Sequence, residues 1–205
     1  LVLVKFAGGN LILLLILAAL VCIVLGMGLP TVGVYILLAT LVAPAIVELG
    51  VPILSAHLFV LYFGMMSMIT PPVAIAAFTA ASLARAEPIP TAIEAVKFGW
   101  TAFIVPFLFI FSPALLMQGD VFIVLGSVVT AVLGVWLASQ GIMAYARAHL
   151  NTGYRLAYLI SGLALLTPFD LFSQAVTVNV GGGVLALILL FKDYRPRPHT
   201  ASSSK

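Results

Sequence analysis

The chain has 205 residues, 63% hydrophobic and 7% charged, with a formal net charge of +3, whereas a typical soluble chain carries about 25% charged residues. Nine basic and six acidic side chains are too few to solvate a surface of this size, while each charge avoided saves about 2.5–3.5 kcal/mol at mid-bilayer. These figures exclude a soluble domain, and the lack of a basic stripe with interleaved aromatics excludes a nucleic-acid surface.

The sequence opens at Leu1 and turns apolar almost at once, so it reads as the continuation of a longer chain. Residues 11–25 follow Lys5 as a secretory signal would, but more hydrophobic segments follow and argue against that reading. Two apolar limbs come first, Asn10 to Gly26 and Thr31 to Val47, joined by Gly-Met-Gly-Leu-Pro. Each limb is about 25 Å long at 1.5 Å per residue, so the pair is too long for one crossing of a core of about 30 Å. A hairpin over 10–47 that enters the membrane and returns is the expectation. Cys22, the single cysteine, rules out an internal disulfide and reads as a small packing residue.

The next block, 58–84, is interrupted by Thr70-Pro71-Pro72. Neither part is long enough to span alone, and together they suit one tilted, broken crossing. Helical spans are then expected over 98–117, from Val121 to about Ala146, over 156–169 and over 171–191. Thr91-Ala-Ile-Glu94 fits a capping box at the start of the helix that leads into Phe98. Gly181-Gly182-Gly183 lacks the lysine of a phosphate loop and reads as a site of close helix packing or a kink. The polar tail, 198–205, reads as disordered.

Counting one crossing for 58–84 and one per later span puts Arg85, Lys97, Arg147, Arg155, Lys192, Arg195, Arg197 and Lys205 on one side, with Lys5 opposite. The positive-inside rule makes that side, and the C-terminus, cytoplasmic. Asp120 and Asp170 fall in the opposite turns. Trp100, Tyr145, Tyr154 and Tyr194 fall near the inner ends, where amphipathic rings favour the interface.

The chemistry is expected at the two interruptions. Irregular backbone in hydrocarbon costs several kcal/mol per unpaired polar group and persists only where protein or a watery cavity satisfies it. At Gly26-Met27-Gly28-Leu29-Pro30-Thr31 the glycines loosen one helix end, and Pro30 suits the first turn of the next. At Ser67-Met68-Ile69-Thr70-Pro71-Pro72-Val73, two prolines lack an amide proton and push the preceding residues out of helix. Carbonyls near Leu25, Gly26, Ser67 and Ile69 carry partial negative charge suited to a small cation, and the helix starts near Thr31 and Val73 present amides to an anion. Secondary transporters build substrate and sodium sites from broken helices of this kind. The competing reading is a packing kink and an ordinary tight turn.

No Asp, Glu, His, Lys or Arg lies between Asn10 and Val47 or between Leu58 and Ala84. A proton relay there has no carrier, so sodium held by neutral oxygens is the natural coupling ion. His57, His149 and His199 have no second ligand at metal-binding spacing. The sequence has no Gly-x-Ser-x-Gly elbow, no His-Glu-x-x-His and no paired intramembrane aspartates. An enzyme is not expected, nor any organic cofactor.

The succession GMGLPT, YILLATLVAP, HLFVLYFGMMSMITPPVAIAAFTAAS and FIVPFLFIFSPALL resembles the end of the large membrane subunit of tripartite ATP-independent periplasmic (TRAP) transporters, especially those with fused membrane subunits. The resemblance covers residues 1–117, and 118–197 look like the extra C-terminal helices of such fusions. It implies an all-α polytopic protein of the cytoplasmic (inner) membrane of a bacterium or archaeon, in which a re-entrant hairpin and a discontinuous helix slide as part of an elevator. It also implies a periplasmic solute-binding protein as partner, a small organic acid as substrate and Na+ as coupling ion. On this resemblance Gly26, Gly28 and Thr31 form the hairpin tip. Ser67, Thr70 and Val73 line the broken helix and offer mainly backbone carbonyls to sodium. Relatives commonly carry Gly at the Ser67 position and Asn near Phe63. The first repeat of the transport domain is not in this sequence, so the chain alone is not expected to transport. The alternative is a channel-like or structural membrane subunit without ion coupling.

Overall fold

The computed structural model describes residues 2–146, 149–169 and 174–194. They form an all-helical polytopic membrane protein, with one isolated bridge, Tyr145 to His149, as the sole β-type pairing among them. The chain separates into two compact units, 1–124 and 125–205. Arg147, Asp170, Arg195, Arg197, His199, Lys205 and the expected disordered tail lie outside the described residues.

The first unit opens with α1 (Val2–Ala7) and α2 (Leu11–Gly26), and the Asn10 side chain caps α2 by accepting from the Leu13 amide at 3.1 Å. The turn at 27–30 reverses the chain into α3 (Thr31–Leu41), and α4 (Ala43–Glu48) follows after a bend at Val42. Pro44 causes that bend, since it cannot donate to the Thr40 carbonyl four residues earlier and its ring crowds it. The two limbs of the expected hairpin are therefore helical, at about 24 Å for α2 and about 27 Å for α3 with α4.

Helix α5 (Ile53–Met66) packs against α2, α3 and α8 (Thr101–Phe111). Leu14, Leu15, Ala18 and Cys22 of α2, Val34 and Leu38 of α3, and Phe59, Val60 and Phe63 of α5 are buried together. Ring contacts at 4.7–5.6 Å link Phe59, Phe63 and Phe107. The free Cys22 thiol is a packing element of this core, as expected. The Ser55 hydroxyl donates to the Phe109 carbonyl at 2.9 Å, a carbonyl that Pro113 cannot serve because it lacks an amide proton.

Helix α6 (Ile75–Ala84) pairs with α7 (Pro88–Phe98) through Ala74, Ala77 and Ala92. The expected span 98–117 is displaced: the continuous apolar stretch is Pro88–Phe111, turning at Gly99-Trp100, and Pro113–Leu116 forms a separate 3-10 turn. Ser112, constrained by the following proline, is extended and ends α8. The expected capping box is also absent. Glu87 occupies the N-cap position, Thr91 donates to the Glu87 carbonyl at 2.7 Å, and Glu94 pairs with Lys97 at 2.5 Å. Pro88 sets helical φ at the first position and starts the helix earlier than the box requires.

The second unit comprises α9 (Val121–Met143) from Leu125 onward, α10 (Thr152–Leu166) and α11 (Ala175–Tyr194). Asn151 caps α10 through the Tyr154 amide at 3.0 Å. Helix α9 and residues Ala175–Lys192 are long and apolar enough to span, whereas α10, with 15 residues, is shorter. Backbones approach closely at glycines. A Cβ on Gly162 would lie 2.5 Å from the Ala138 nitrogen and 2.7 Å from the Gly134 carbonyl, and one on Gly182 would lie 2.7 Å from Ala164 Cβ. The Ser161 hydroxyl donates to the Gly182 carbonyl at 2.8 Å. Gly182 of the triplet therefore serves helix packing, as small residues do where the hydrophobic drive between helices in lipid is weak.

Gly162→Val is expected to lower the stability of the detergent-solubilised complete protein by about 1–3 kcal/mol through overpacking. Gly181→Ala meets nothing within 4 Å and should stay within about 0.5 kcal/mol. Thermal melting distinguishes them, and equal midpoints would contradict the close approach.

Candidate functional site

Both interruptions expected from the sequence are present. At the first, α2 ends at Gly26, the Met27 amide closes onto the Val24 carbonyl at 3.3 Å, and Gly28 takes φ +84 at the exposed tip. Thr31 then begins α3 with Pro30 ahead of it and no side-chain cap. No backbone carbonyl of this unit accepts the Thr31, Val32 or Gly33 amides, and Val34 is the first to bond, to Pro30.

At the second interruption α5 ends at Met66 and α6 begins at Ile75. Between them the Pro71-Pro72 peptide is cis and Ala74 adopts φ 35. The Ala76 amide reaches back to the Met68 carbonyl at 3.0 Å, tying the second half-helix to the end of the first. One amide that the sequence left open to an anion is thus already bonded within the break.

The interruptions meet. A Cβ on Gly26 would lie 2.7 Å from Ser67 Oγ and 2.8 Å from the Gly64 carbonyl. Only a residue without a side chain lets the end of α2 touch the end of α5 so closely. Gly64 does the same for α3: a Cβ there would come within 2.6 Å of Val34 and 2.8 Å of Leu38. Both limbs of the hairpin are therefore seated on α5 beside its broken end.

Of the six expected residues, the structure brings Gly26 and Ser67 into contact. Ser67 is buried, and its hydroxyl donates to the Gly64 carbonyl at 2.6 Å. Thr70 is half-buried and donates to the Met66 carbonyl at 2.7 Å. Each hydroxyl thus gives its proton to a carbonyl of α5 and keeps oxygen lone pairs for another partner. Gly28 and Thr31 sit exposed at the hairpin tip. Val73 lines a groove of about 440 Å³ along α6 with Phe78, Thr79 and Ser82.

The carbonyls of Leu25, Gly26, Ser67 and Ile69 accept no backbone donor of this unit. They are the four carbonyls that the sequence marks as cation-facing. Among the described residues no three His, Cys, Asp or Glu side chains gather as a metal cluster. His57 hydrogen-bonds Tyr35 at 3.0 Å, joining α3 to α5, and His149 rests against the Tyr145 ring. A divalent metal therefore has no anionic ligand set here, whereas a monovalent cation can be held by neutral oxygens.

Gly64 escaped the sequence reading. It is a lone glycine in an apolar helix, and Ser67, three residues on, does not complete the four-residue small-residue spacing of close helix contacts. Phe63 is a core residue, tilted against Phe59, edge-to-face with Phe107 and only 3% exposed.

A family model described as the tripartite ATP-independent periplasmic transporter, DctM component, matches residues 2–124. No curated protein and no solved structure matches the chain.

Gly26→Ala is expected to reduce both thermal stability and uptake in the complete protein, because the added methyl meets Ser67 Oγ and the Gly64 carbonyl. Combining it with Ser67→Gly removes one of the two collisions and should restore part of the melting temperature. A double variant no more stable than the single one would contradict the Gly26–Ser67 contact.

Proposed function

The chain belongs to the DctM family, the DctM component of tripartite ATP-independent periplasmic transporters, and from that premise we propose that it forms half of a sodium-coupled, binding-protein-dependent importer of organic acids. The meeting of the two interruptions at Gly26 and Ser67 carries this reading. It gathers helix C-terminal ends, whose carbonyls are negative poles of the backbone dipoles, around one place in the stretches 10–47 and 58–84, which hold no Asp, Glu, His, Lys or Arg. Four carbonyls without backbone donors and two hydroxyls with committed protons form a ligand set suited to a hard monovalent cation.

The amides of Thr31, Val32 and Gly33 at the start of α3 have the opposite polarity and suit a carboxylate. Cation-binding and anion-binding ends thus belong to one hairpin. Filling the first stabilises negative charge at the second, which is the physical basis of symport.

An elevator requires hairpin and broken helix to travel as one body. The interlocking of Gly26 with Ser67, and of Gly64 with Val34 and Leu38, supports such a body. The soluble partner is a periplasmic solute-binding protein that delivers the acid. The protein sits in the cytoplasmic membrane with its C-terminus inside, where its arginines and lysines gather.

Thr70→Ala in the complete transporter is expected to raise the sodium concentration for half-maximal uptake roughly tenfold, as the loss of one contact to a charged ligand worth about 1.5 kcal/mol would do. Thr70→Ser, which keeps the hydroxyl, should stay near the parent. Uptake in proteoliposomes across a sodium series measures this. Unchanged sodium dependence in the alanine variant, or uptake indifferent to sodium in the parent, overturns the reading in favour of an uncoupled membrane subunit.

A further inference from the structure

The second unit contains a groove of its own. It has a volume of about 340 Å³ between the start of α10 and the end of α11. Asn151, Tyr154 and Lys192 line one end, and Ala157, Leu185, Ile188 and Leu189 are among the residues that line the rest. We propose that it binds one anionic phospholipid, with the phosphate against Lys192 and Tyr154 and an acyl chain along Ala157, Leu185 and Leu189.

Position and charge select this occupant. Lys192 stands in the last turn of α11, after a run from Ala175 to Phe191 without a charged residue, and a lysine so placed carries its ammonium to headgroup level. Tyr154, 38% exposed, belongs to the same level, where amphipathic rings settle. The flank of α11 beside the groove presents Leu187 and Phe191 outward, as a surface facing hydrocarbon does. The groove therefore opens to lipid along its apolar length and to the interface at its polar end.

The polar end is built for an anion. Asn151 commits its Oδ1 to the Tyr154 amide, which leaves its Nδ2 donor, the Tyr154 hydroxyl and the Lys192 ammonium to face a ligand. Lys192 is the charged residue of the lining. A zwitterionic headgroup brings its own cation towards that ammonium, whereas a phosphatidylglycerol headgroup does not. Basic pockets between membrane helices select anionic lipids on the same ground.

The test is native mass spectrometry of the complete transporter in detergent, titrated with phosphatidylglycerol, phosphatidylcholine or inorganic phosphate. The proposal expects one phosphatidylglycerol retained in preference to phosphatidylcholine and not displaced by phosphate. Lys192→Gln should weaken retention about fivefold, the effect of one interfacial charge. Ala157→Phe, which fills the apolar part, should weaken it as well. If that variant fails to fold by melting temperature, the exposed Lys192 substitution decides alone. Equal retention of the two lipids, displacement by free phosphate, or parent-like retention in Lys192→Gln overturns the proposal.

Discussion

The contact between Gly26 and Ser67 is the constraint on which the first unit depends. Two helices end side by side in an apolar environment, and each ending frees carbonyls that hydrocarbon cannot satisfy. The chain brings the endings together rather than scattering them. Glycine at 26 and 64 allows the approach, the Ser67 and Thr70 hydroxyls quiet some of the carbonyls, and Ala76 ties the second half-helix back to Met68. The carbonyls left over concentrate negative dipole ends where no side chain supplies charge. In the proposed reading, a site with that composition holds a cation without a carboxylate.

Both units solve the helix-packing problem in the same way, though for different ends. In lipid, apolar side chains gain little by leaving one hydrocarbon for another, so close backbone contact and hydrogen bonds must hold the helices. Gly134, Gly162 and Gly182 bring α9, α10 and α11 together as Gly26 and Gly64 do for the hairpin and α5. In the second unit the contacts fall within continuous helices and produce a packed bundle. In the first they fall at interrupted helices, and the same close packing gathers polar backbone.

The interruptions were legible in the sequence because glycine and proline act through local sterics. Gly28 needs its positive φ, and Pro71-Pro72 removes two amides, whatever surrounds them. The lengths of α2 and of α3 with α4 followed from the spacing of those same residues. What escaped depended on partners distant in sequence. Nothing local announces that Gly64 receives Val34 and Leu38, that Tyr35 meets His57, or that Ser55 serves a carbonyl orphaned by Pro113. The capping box at Thr91 failed because two competing start signals overlapped and the proline at 88 prevailed. Of the expected site, Gly26 and Ser67 were placed by the sequence and joined by the fold, while Val73 turned to the groove along α6, a direction that no periodicity specified.

The central claim is that the paired interruptions hold an alkali ion on backbone oxygens. The most direct measurement is a pair of density maps of the complete transporter, one in sodium and one in choline. The account predicts a peak present only in sodium, within coordination distance of the Gly26 and Ser67 carbonyls and the Thr70 hydroxyl. Identical maps in the two salts, with that space filled by side chains or water alike, would contradict it.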